Sequence, residues 1–331
     1  MKRVTLKDIA RETGLTVNSV SHALNDKSDI SPATKERVAE AAKRLGYVPN
    51  LAASALKKGK SRTLAIVFDN LFNPYYNIMT HYLANAVSAC GYDFLTVVEK
   101  DGDRLNAATY RNLLARNVDG ILSFLEPDRE TAKILRGGAL PVTMIGRYCE
   151  LKNIDYIYAD DVRGGYAAAE YLISKGAKRL HYLADRMSCS CARERFQGFL
   201  ECVEEKGVRY SSSEMGNRPY YEVIEKVIEE IPDCDGFVCF NDHIAIEAQY
   251  VASRLRPELK VVGYDDIKEE VKLPGLFASV AIDKDGIATR AVELLLDRIE
   301  GGYTGKGRKV VMPVHIAEYA ELKNRAADAE S

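Results

Sequence analysis

The chain has 331 residues, of which 47% are hydrophobic and 28% are charged, and this length allows two or three domains with sizeable cores. The balance of apolar and charged residues excludes an intrinsically disordered chain, and no apolar run reaches the ~18 residues that a transmembrane helix needs. The N-terminus lacks the apolar segment of a signal peptide, so we expect a cytoplasmic protein with no membrane partner.

Positive charge is concentrated at the N-terminal end. Residues 1–60 contain twelve Lys/Arg and six Asp/Glu, a net charge of +6, whereas the remaining residues contain 34 and 42, a net charge of −8. A basic segment on an acidic body indicates a polyanionic partner at one end of the chain. The seven cysteines are scattered and include no Cys-x-x-Cys, so we expect reduced thiols and no metal site.

The first 46 residues predict three short helices. A turn at Gly14 separates the first helix from a second over about residues 17–25, and Ser31 precedes the third. Two helices joined by a short turn that contains glycine form a helix-turn-helix. On the second helix, the spacing of Val20 and Leu24 predicts that both pack inward.

From residue 63 onward, predicted strands alternate with predicted helices. The strands cover residues 63–68, 93–98, 120–124, 142–146, 156–160, 179–184, 236–240, 260–265 and 309–317. Repeated β–α units of this kind predict parallel, doubly wound sheets in two halves. No Gly-x-Gly-x-x-Gly follows a strand, so no dinucleotide or other cofactor is expected.

Distinct short motifs are spread along nearly the whole chain, to about residue 318. In the first part they are VTLKDIA (4–10), GLT (14–16), SVS (19–21), LN (24–25) and GYVPN (46–50), and in the body NPY (73–75), DGI (119–121), GAKRL (176–180), RFQGF (195–199), FND (240–242) and VGYDD (262–266). Through these motifs, the sequence resembles the lac-repressor (LacI/GalR) family of transcriptional regulators.

The resemblance implies an all-α helix-turn-helix headpiece followed by a two-lobed α/β core like that of periplasmic binding proteins, with parallel doubly wound sheets. The implied boundaries are a headpiece at 1–46, a hinge helix and linker at 47–61, an effector-binding core at 62–320 and a tail at 321–331. Within the core, lobe 1 covers about 62–158 and 284–312, and lobe 2 covers about 159–283 and 313–320.

The resemblance also implies that the second helix lies in the major groove of DNA. Asn18 then meets an adenine edge and Val17 a thymine methyl group. His22 stands where the family usually has arginine, which leaves open the base that it reads. The implied phosphate contacts are Thr5, Thr16, Ser21, Asn25 and Ser31, although Ser31 is equally well placed as a helix cap.

Residues 47–61 form the predicted hinge. A helix over about 51–57, capped by Asn50, is too short to persist alone in water. The resemblance implies that Leu56 enters the minor groove as a wedge and that Ala53, one turn earlier, allows close approach. The alternative is a linker in which Leu56 packs on the body.

The predicted effector site lies at the carboxyl ends of the strands, where such sheets bind ligands. The resemblance implies that Arg195, Asn241 and Asp265 contact hydroxyl or carboxylate groups of the effector. For Arg195 the alternative is a salt bridge between the lobes. The other predicted effector residues are Phe72, Asn73, Tyr75, Arg147 and Lys284, of which Phe72 or Tyr75 would cover a sugar face and Lys284 would meet an acidic group. For Asp161, Asp242 and Asp266, capping of the following helices is the favoured alternative.

These observations predict a homodimeric repressor that binds pseudo-palindromic operator DNA and responds to a small molecule, a carbohydrate in our interpretation. A sugar-transport protein would have no use for residues 1–60. An enzyme would need a catalytic constellation, but the five histidines are dispersed and neither Gly-x-Ser-x-Gly nor His-Glu-x-x-His occurs. The tail lacks leucine heptads, so no tail-mediated tetramer is expected.

Overall fold

The computed structural model describes residues 4–49, 59–100, 102–216, 218–271 and 278–318. The predicted hinge helix, with Asn50, Ala53 and Leu56, and the predicted tail lie outside the described residues. The chain divides into two compact units, Met1–Ser61 and Arg62–Ser331.

The smaller unit contains helices α1 (Leu6–Thr13), α2 (Val17–Leu24) and α3 (Pro32–Leu45). α1 ends at Gly14, whose φ of 67° lies in the left-handed region that glycine adopts without steric cost. The three helices pack around a small core of Ile9, Ala10, Val20, Ala23, Val38, Ala41 and Ala42. The prediction that Leu24 packs inward is wrong: Leu24 is 37% exposed, because Ala23, one position earlier, occupies the buried face.

The larger unit contains two six-stranded sheets, each covered by helices. The strands are β1 (Thr63–Phe68), β2 (Asp93–Val98), β3 (Arg104–Leu105), β4 (Gly120–Ser123), β5 (Glu126–Pro127), β6 (Val142–Ile145), β7 (Asp155–Ala159), β8 (Arg179–Ala184), β9 (Arg209–Glu214), β10 (Gly236–Cys239), β11 (Lys260–Tyr264), β12 (Ala278–Ile282), β13 (Lys309–Met312) and β14 (Val314–Ala317). The first sheet has the order β13-β7-β6-β4-β1-β2 and the second the order β14-β12-β11-β10-β8-β9.

The helices of this unit lie between most of its consecutive strands. They are α4 (Pro74–Ala89), α5 (Ala107–Ala115), α6 (Arg129–Leu135), α7 (Asp161–Ser174), α8 (Ser190–Glu205), α9 (Tyr220–Glu230), α10 (Asp242–Leu255), α11 (Lys268–Val271) and α12 (Lys284–Ile299). We call the elements around the first sheet, including α12, the first lobe, and those around the second sheet the second lobe. No helix in the described ranges is both long and apolar enough to cross a membrane.

The predicted fold class is confirmed, and most predicted strands agree with the structure to within a residue. The strand pairs within both sheets are parallel except β12 with β14. The predicted final strand is two strands, because Pro313 interrupts it and places β13 in the first sheet and β14 in the second. Four strands were not predicted from the sequence: β3, β5, β9 and β12. β9 is a mostly exposed edge strand whose sequence, RYSSSE, lacks an apolar run.

Two glycines let α7 and α8 cross with their backbones in close contact. A Cβ atom at Gly165 would lie 1.9 Å from the carbonyl oxygen of Arg195, and one at Gly198 would lie 1.8 Å from that of Val162. Backbone atoms cannot yield as flexible side chains can. The crossing therefore requires glycine at both positions, and it determines where Arg195 lies.

Replacing Gly198 with alanine should push α7 and α8 apart and lower the free energy of unfolding by about 3 kcal/mol. Calorimetry of the larger unit's thermal transition measures this effect. Gly302→Ala is the matched control, since its nearest atom would lie 3.5 Å away. Equal transition temperatures for the two variants would contradict the close-crossing interpretation.

Candidate functional site

In the smaller unit, helix α2 presents the predicted base-reading side chains. Thr16 caps this helix, because its Oγ1 accepts a hydrogen bond from the backbone N–H of Ser19 at 3.1 Å. Val17 and Asn18 follow in the first turn, and both are exposed. A hydrophobic side chain that is 41% exposed, beside an exposed amide, suits contact with base edges better than packing.

His22 lies one turn further along α2 and has a partner that the sequence did not predict. Its Nδ1 lies 2.6 Å from Oδ2 of Asp29, in the segment that precedes α3. The hydrogen bond to His22 lowers the pKa of the Asp29 carboxyl group. One imidazole nitrogen is therefore engaged within the protein, and Nε2 is the atom left for an external partner.

Four of the five predicted phosphate ligands lie at helix ends, namely Thr5, Thr16, Asn25 and Ser31, whereas Ser21 lies within α2. The carboxylate of Asp8 accepts hydrogen bonds from the backbone N–H and Oγ1 of Thr5, at 2.9 and 2.7 Å. Ser31 caps α3 through Thr34, and the amide of Asn25 donates to the carbonyl oxygen of Ser21 at 2.7 Å. These side chains are held in place by local hydrogen bonds at the surface.

The larger unit has a cavity of about 410 Å³ whose lining comes from both lobes. Seven of the eight predicted effector residues line it: Phe72, Asn73, Tyr75, Arg147, Arg195, Asn241 and Asp265. Phe72 is 86% exposed, whereas the predicted residues of the second lobe, Arg195, Asn241 and Asp265, are buried. The topology thus brings strand ends that are distant in sequence to one cavity.

Arg195 is the most densely contacted residue of the cavity. Its Nε donates to Asp161 at 2.7 Å, its Nη1 donates to the carbonyl oxygen of Phe240 at 2.7 Å, and its Nη2 lies 3.4 Å from Asp265. The guanidinium carbon lies 3.5 Å from the centre of the Tyr264 ring. A buried cation with this many partners is held in one orientation.

Burial raises the pKa values of several carboxyl groups in the second lobe. Desolvation raises the pKa of Asp161 to about 6 although Arg195 opposes the shift, and it raises the pKa of Asp242 to about 8. Asp265 adopts a φ of 92°, which is strained for a residue other than glycine. Such strain and such burial are concentrated at functional sites.

The residues that cap α7 and α10 differ from those that the sequence suggested. Asn241 and Asp160, rather than Asp242 and Asp161, cap α10 and α7. Asp242 instead accepts hydrogen bonds from the Ile267 N–H at 2.9 Å and from Ser279 Oγ at 2.7 Å. The capping alternative for Asp242 and Asp161 is therefore wrong, because each stands one residue past the cap and bonds to a different element.

The first-lobe side of the cavity is held more loosely. Arg147 donates to Tyr76 Oη at 3.3 Å and to the carbonyl oxygen of Asp103 at 3.4 Å, and it lies 4.0 Å from Asp69. Among these partners, Asp69 directly follows β1 just as Arg147 closely follows β6. The strand-end rule that found Arg147 would also have found Asp69.

Sequence analysis missed several other lining residues. Asp185 directly follows β8, so the strand-end rule would also have identified it. Cys189 and Cys191 carried no such signal. The remaining lining residues that were not predicted are Asn70, Tyr76, Asp103, Phe124, Ile145, Gly146, Arg186, Ser188, Gly216, Tyr220, Phe240 and His243.

Lys284 does not line the cavity, which corrects the expectation that it meets the effector. Its ammonium group is buried, donates to the carbonyl oxygen of Asp266 at 2.8 Å and lies 3.2 Å from Glu270. These contacts hold it at the start of α12. Within the described ranges, no group of three or more His, Cys, Asp or Glu side chains is arranged to hold a metal ion.

Comparison with known proteins identifies both units. Residues 5–50 match the family model described as bacterial regulatory proteins, lacI family, and residues 169–318 match that of a periplasmic binding protein-like domain. The chain is 26% identical over 308 residues to the HTH-type transcriptional repressor PurR of Aliivibrio salmonicida, which covers 89% of this chain and 92% of that protein.

The chain is also 30% identical over 257 residues to the maltose regulon regulatory protein MalI of Escherichia coli, covering 75% of each protein. The chain belongs to the lacI family of bacterial regulatory proteins. It is accordingly a DNA-binding transcriptional regulator. Its named relatives are regulators rather than enzymes.

Solved structures of other transcriptional regulators share the fold. A complex of the transcriptional regulator CelR with cellobiose is 25% identical and covers 95% of this chain and 98% of that one, with a TM-score of 0.67. A lac repressor dimer bound to operator and the anti-inducer ONPF is 21% identical and covers 96% and 98%, with a TM-score of 0.80.

Arg195→Ala should destabilise this regulator by about 3–5 kcal/mol, because it leaves Asp161 and Asp265 buried without their cation. Both carboxyl groups have pKa values raised by burial, so ionising them in the folded state becomes costly as the pH rises above their unfolded values. The loss of stability should therefore be larger at pH 8 than at pH 5. Urea unfolding of both proteins at the two pH values measures it.

The control is the double variant with Asp161→Asn, which removes one of the stranded carboxylates and should recover part of the stability at pH 8. A loss that is equal at both pH values would show that the carboxylates do not carry the effect.

Proposed function

We propose that this regulator is a repressor whose operator affinity is controlled by a carbohydrate bound in the cavity between the lobes. The observation that carries the proposal is the second-lobe cluster of Arg195, Asn241 and Asp265, which lines a cavity of about 410 Å³. A guanidinium, an amide and a carboxylate provide several donors and acceptors, as a polyhydroxyl ligand requires.

Both lobes supply hydrogen-bond donors to the cavity, and the first lobe also supplies apolar faces. Asn241 and Asn73 each use Oδ1 to cap a helix, which leaves their amide nitrogens as donors for ligand hydroxyl groups. Phe72 and Tyr75 supply apolar faces on which a sugar ring can pack. The complex of CelR with cellobiose supports a carbohydrate as the ligand class.

On the DNA side, α2 is proposed to lie in the major groove, with Asn18 and Val17 reading bases and His22 using Nε2. Thr5, Thr16, Ser21, Asn25 and Ser31 contact phosphates and set the register. Two copies of the chain would bind a pseudo-palindromic operator, an arrangement supported by the operator-bound dimer of the lac repressor. The roles of Asn50, Ala53 and Leu56 in the hinge stay predictions.

The coupling is a two-state equilibrium of the lobes. An effector that binds one lobe arrangement more tightly shifts the population toward it, and operator affinity changes by the same coupling free energy. No catalytic step forms part of this proposal, and turnover of a bound sugar by the purified protein would contradict it.

Phe72→Ala should weaken carbohydrate binding about tenfold, or ~1.4 kcal/mol, because it removes an apolar face at the cavity. A thermal-shift panel of mono- and disaccharides, including cellobiose and fructose 1-phosphate, finds the ligand, and calorimetric titration then gives its Kd. Because Phe72 is 86% exposed, the unliganded protein should keep its stability.

Leu71→Ala is the matched control, since Leu71 is 55% exposed but does not line the cavity. If both variants bind the sugar as the parent does, Phe72 has no contact with the ligand. If no sugar in the panel binds the parent protein, the carbohydrate class is wrong.

Asn18→Ala should relax base preference at one operator position, because a lost base-edge contact costs about 1–3 kcal/mol for the preferred base only. Ser21→Ala should weaken binding to all sequences by a similar factor, since it removes a phosphate contact. Selection from a randomised duplex library, followed by titration at fixed salt, separates the two effects. A uniform loss in Asn18→Ala would place that side chain on the backbone instead.

A further inference from the structure

A four-residue segment of the second lobe, Ser188–Cys191, is hydrogen-bonded to the first lobe. We call these four residues the clasp. It lies between β8 and the body of α8, and Ser190 is the first residue of that helix. Its sequence, Ser-Cys-Ser-Cys, places two thiols beside the two serines that make the contacts.

The clasp meets the first lobe at both serines. Arg104 Nη2 donates to the carbonyl oxygen of Ser188 at 2.8 Å, and Ser188 Oγ donates to Asp103. The backbone N–H of Ser190 donates to Glu126 Oε1 at 2.7 Å, and Ser190 Oγ accepts from the backbone N–H of Tyr148 at 2.9 Å.

Ser190 is only 1% exposed, so these bonds are shielded from water and depend on its exact backbone position. Glu126 is also held by Arg104 at 2.6 Å. The first lobe therefore offers a rigid acceptor, and a shift of Ser190 cannot be followed by its partner.

The two thiols lie close enough to react with each other. Cys189 Sγ and Cys191 Sγ are 3.3 Å apart, each residue is 6% exposed, and both line the cavity. The cavity gives a small solute access to sulfur atoms that are otherwise covered. Because Cys189 and Cys191 expose so little of their surface, a small oxidant reaches their sulfur atoms most readily.

We propose that Cys189 and Cys191 form a reversible disulfide when a peroxide enters the cavity, and that this bond releases the clasp from the first lobe. The thiolate of Cys189 attacks one peroxide oxygen, an S–O bond forms, the O–O bond breaks and hydroxide leaves. The thiol of Cys191 then displaces the hydroxyl group from the Cys189 sulfenic acid, giving the disulfide and water.

The surroundings favour Cys189 as the attacking thiol. The hydrogen bond from Cys191 and the charge of Arg147 lower the pKa of the Cys189 thiol, whereas the pKa of Cys191 is raised. In total, two thiols lose two electrons and two protons to hydrogen peroxide, which becomes two water molecules.

The disulfide strains the clasp because Ser190 lies between the bonded residues. An S–S bond of ~2.05 Å requires the sulfurs to approach by about 1.3 Å, which must rotate the Ser190 backbone. Its N–H and Oγ then leave Glu126 and Tyr148. Oxidation thus loosens the contact between the lobes whichever effector the cavity takes.

The first measurement is the oxidation product. After treatment with hydrogen peroxide, blocking of free thiols and tryptic digestion, the peptide of residues 187–193 contains both cysteines and no other. It should lose two hydrogen atoms and regain them with dithiothreitol. Cys191→Ser should stop at the sulfenic acid of Cys189, trapped by dimedone, and Cys189→Ser should give neither product.

The second measurement is hydrogen exchange at Tyr148, which lies far from the thiols in sequence. Oxidation should speed exchange of its amide about tenfold in the parent protein and in Cys90→Ser, the control at the exposed cysteine, but not in Cys189→Ser. A peptide 187–193 that stays reduced while Cys90 is oxidised would overturn the modification site. A disulfide that leaves exchange at Tyr148 unchanged would overturn the release of the clasp.

Discussion

The buried guanidinium of Arg195 is the interaction on which the second lobe of this regulator depends. Burying a cation is costly unless nearby groups neutralise it, and Asp161 and Asp265 supply two carboxylates for that purpose. Because its partners come from α7 and from the ends of β10 and β11, the charge ties these elements together. The glycines at the crossing of α7 and α8 serve the same end, since a wider crossing would withdraw Arg195 from Asp161.

The two sides of the cavity differ in how tightly they are built. The second lobe holds Arg195 with two hydrogen bonds of 2.7 Å, whereas the hydrogen bonds of Arg147 in the first lobe are 3.3 and 3.4 Å long. A preorganised surface loses little entropy on binding, while a looser one can adapt. Under the two-state proposal, a ligand meets the second lobe first and draws the first lobe onto it, which supplies the differential affinity that the proposal needs.

The sequence predicted those parts of the fold and site that local patterns determine. Apolar strand runs gave β1, β2 and β8 to the residue, and the strand-end rule gave Arg147 and Asn73. Contacts between segments that are distant in sequence leave no local pattern from which to predict them. His22 meets Asp29 only because a loop returns to α2, and Lys284 meets Glu270 only through the packing of α11 and α12. The clasp was missed for the same reason, since its partners lie 42 to 85 residues away in the first lobe.

The clasp leads directly into α8, the helix that carries Arg195, so this helix connects the clasp to the cavity. Ser190 begins this helix and Arg195 follows after five residues, a rise of about 7.5 Å along one rigid rod. Gly198, three residues further along α8, brings the backbone of this helix into close contact with that of α7. A shift at Ser190 therefore either bends the first turn of α8 or tilts the helix and moves Arg195 relative to Asp265. In the first case oxidation would loosen the contact between the lobes and leave Arg195 in place. In the second case it would loosen that contact and also move Arg195. The backbone contact at Gly198 resists tilting, so we expect the first turn to bend.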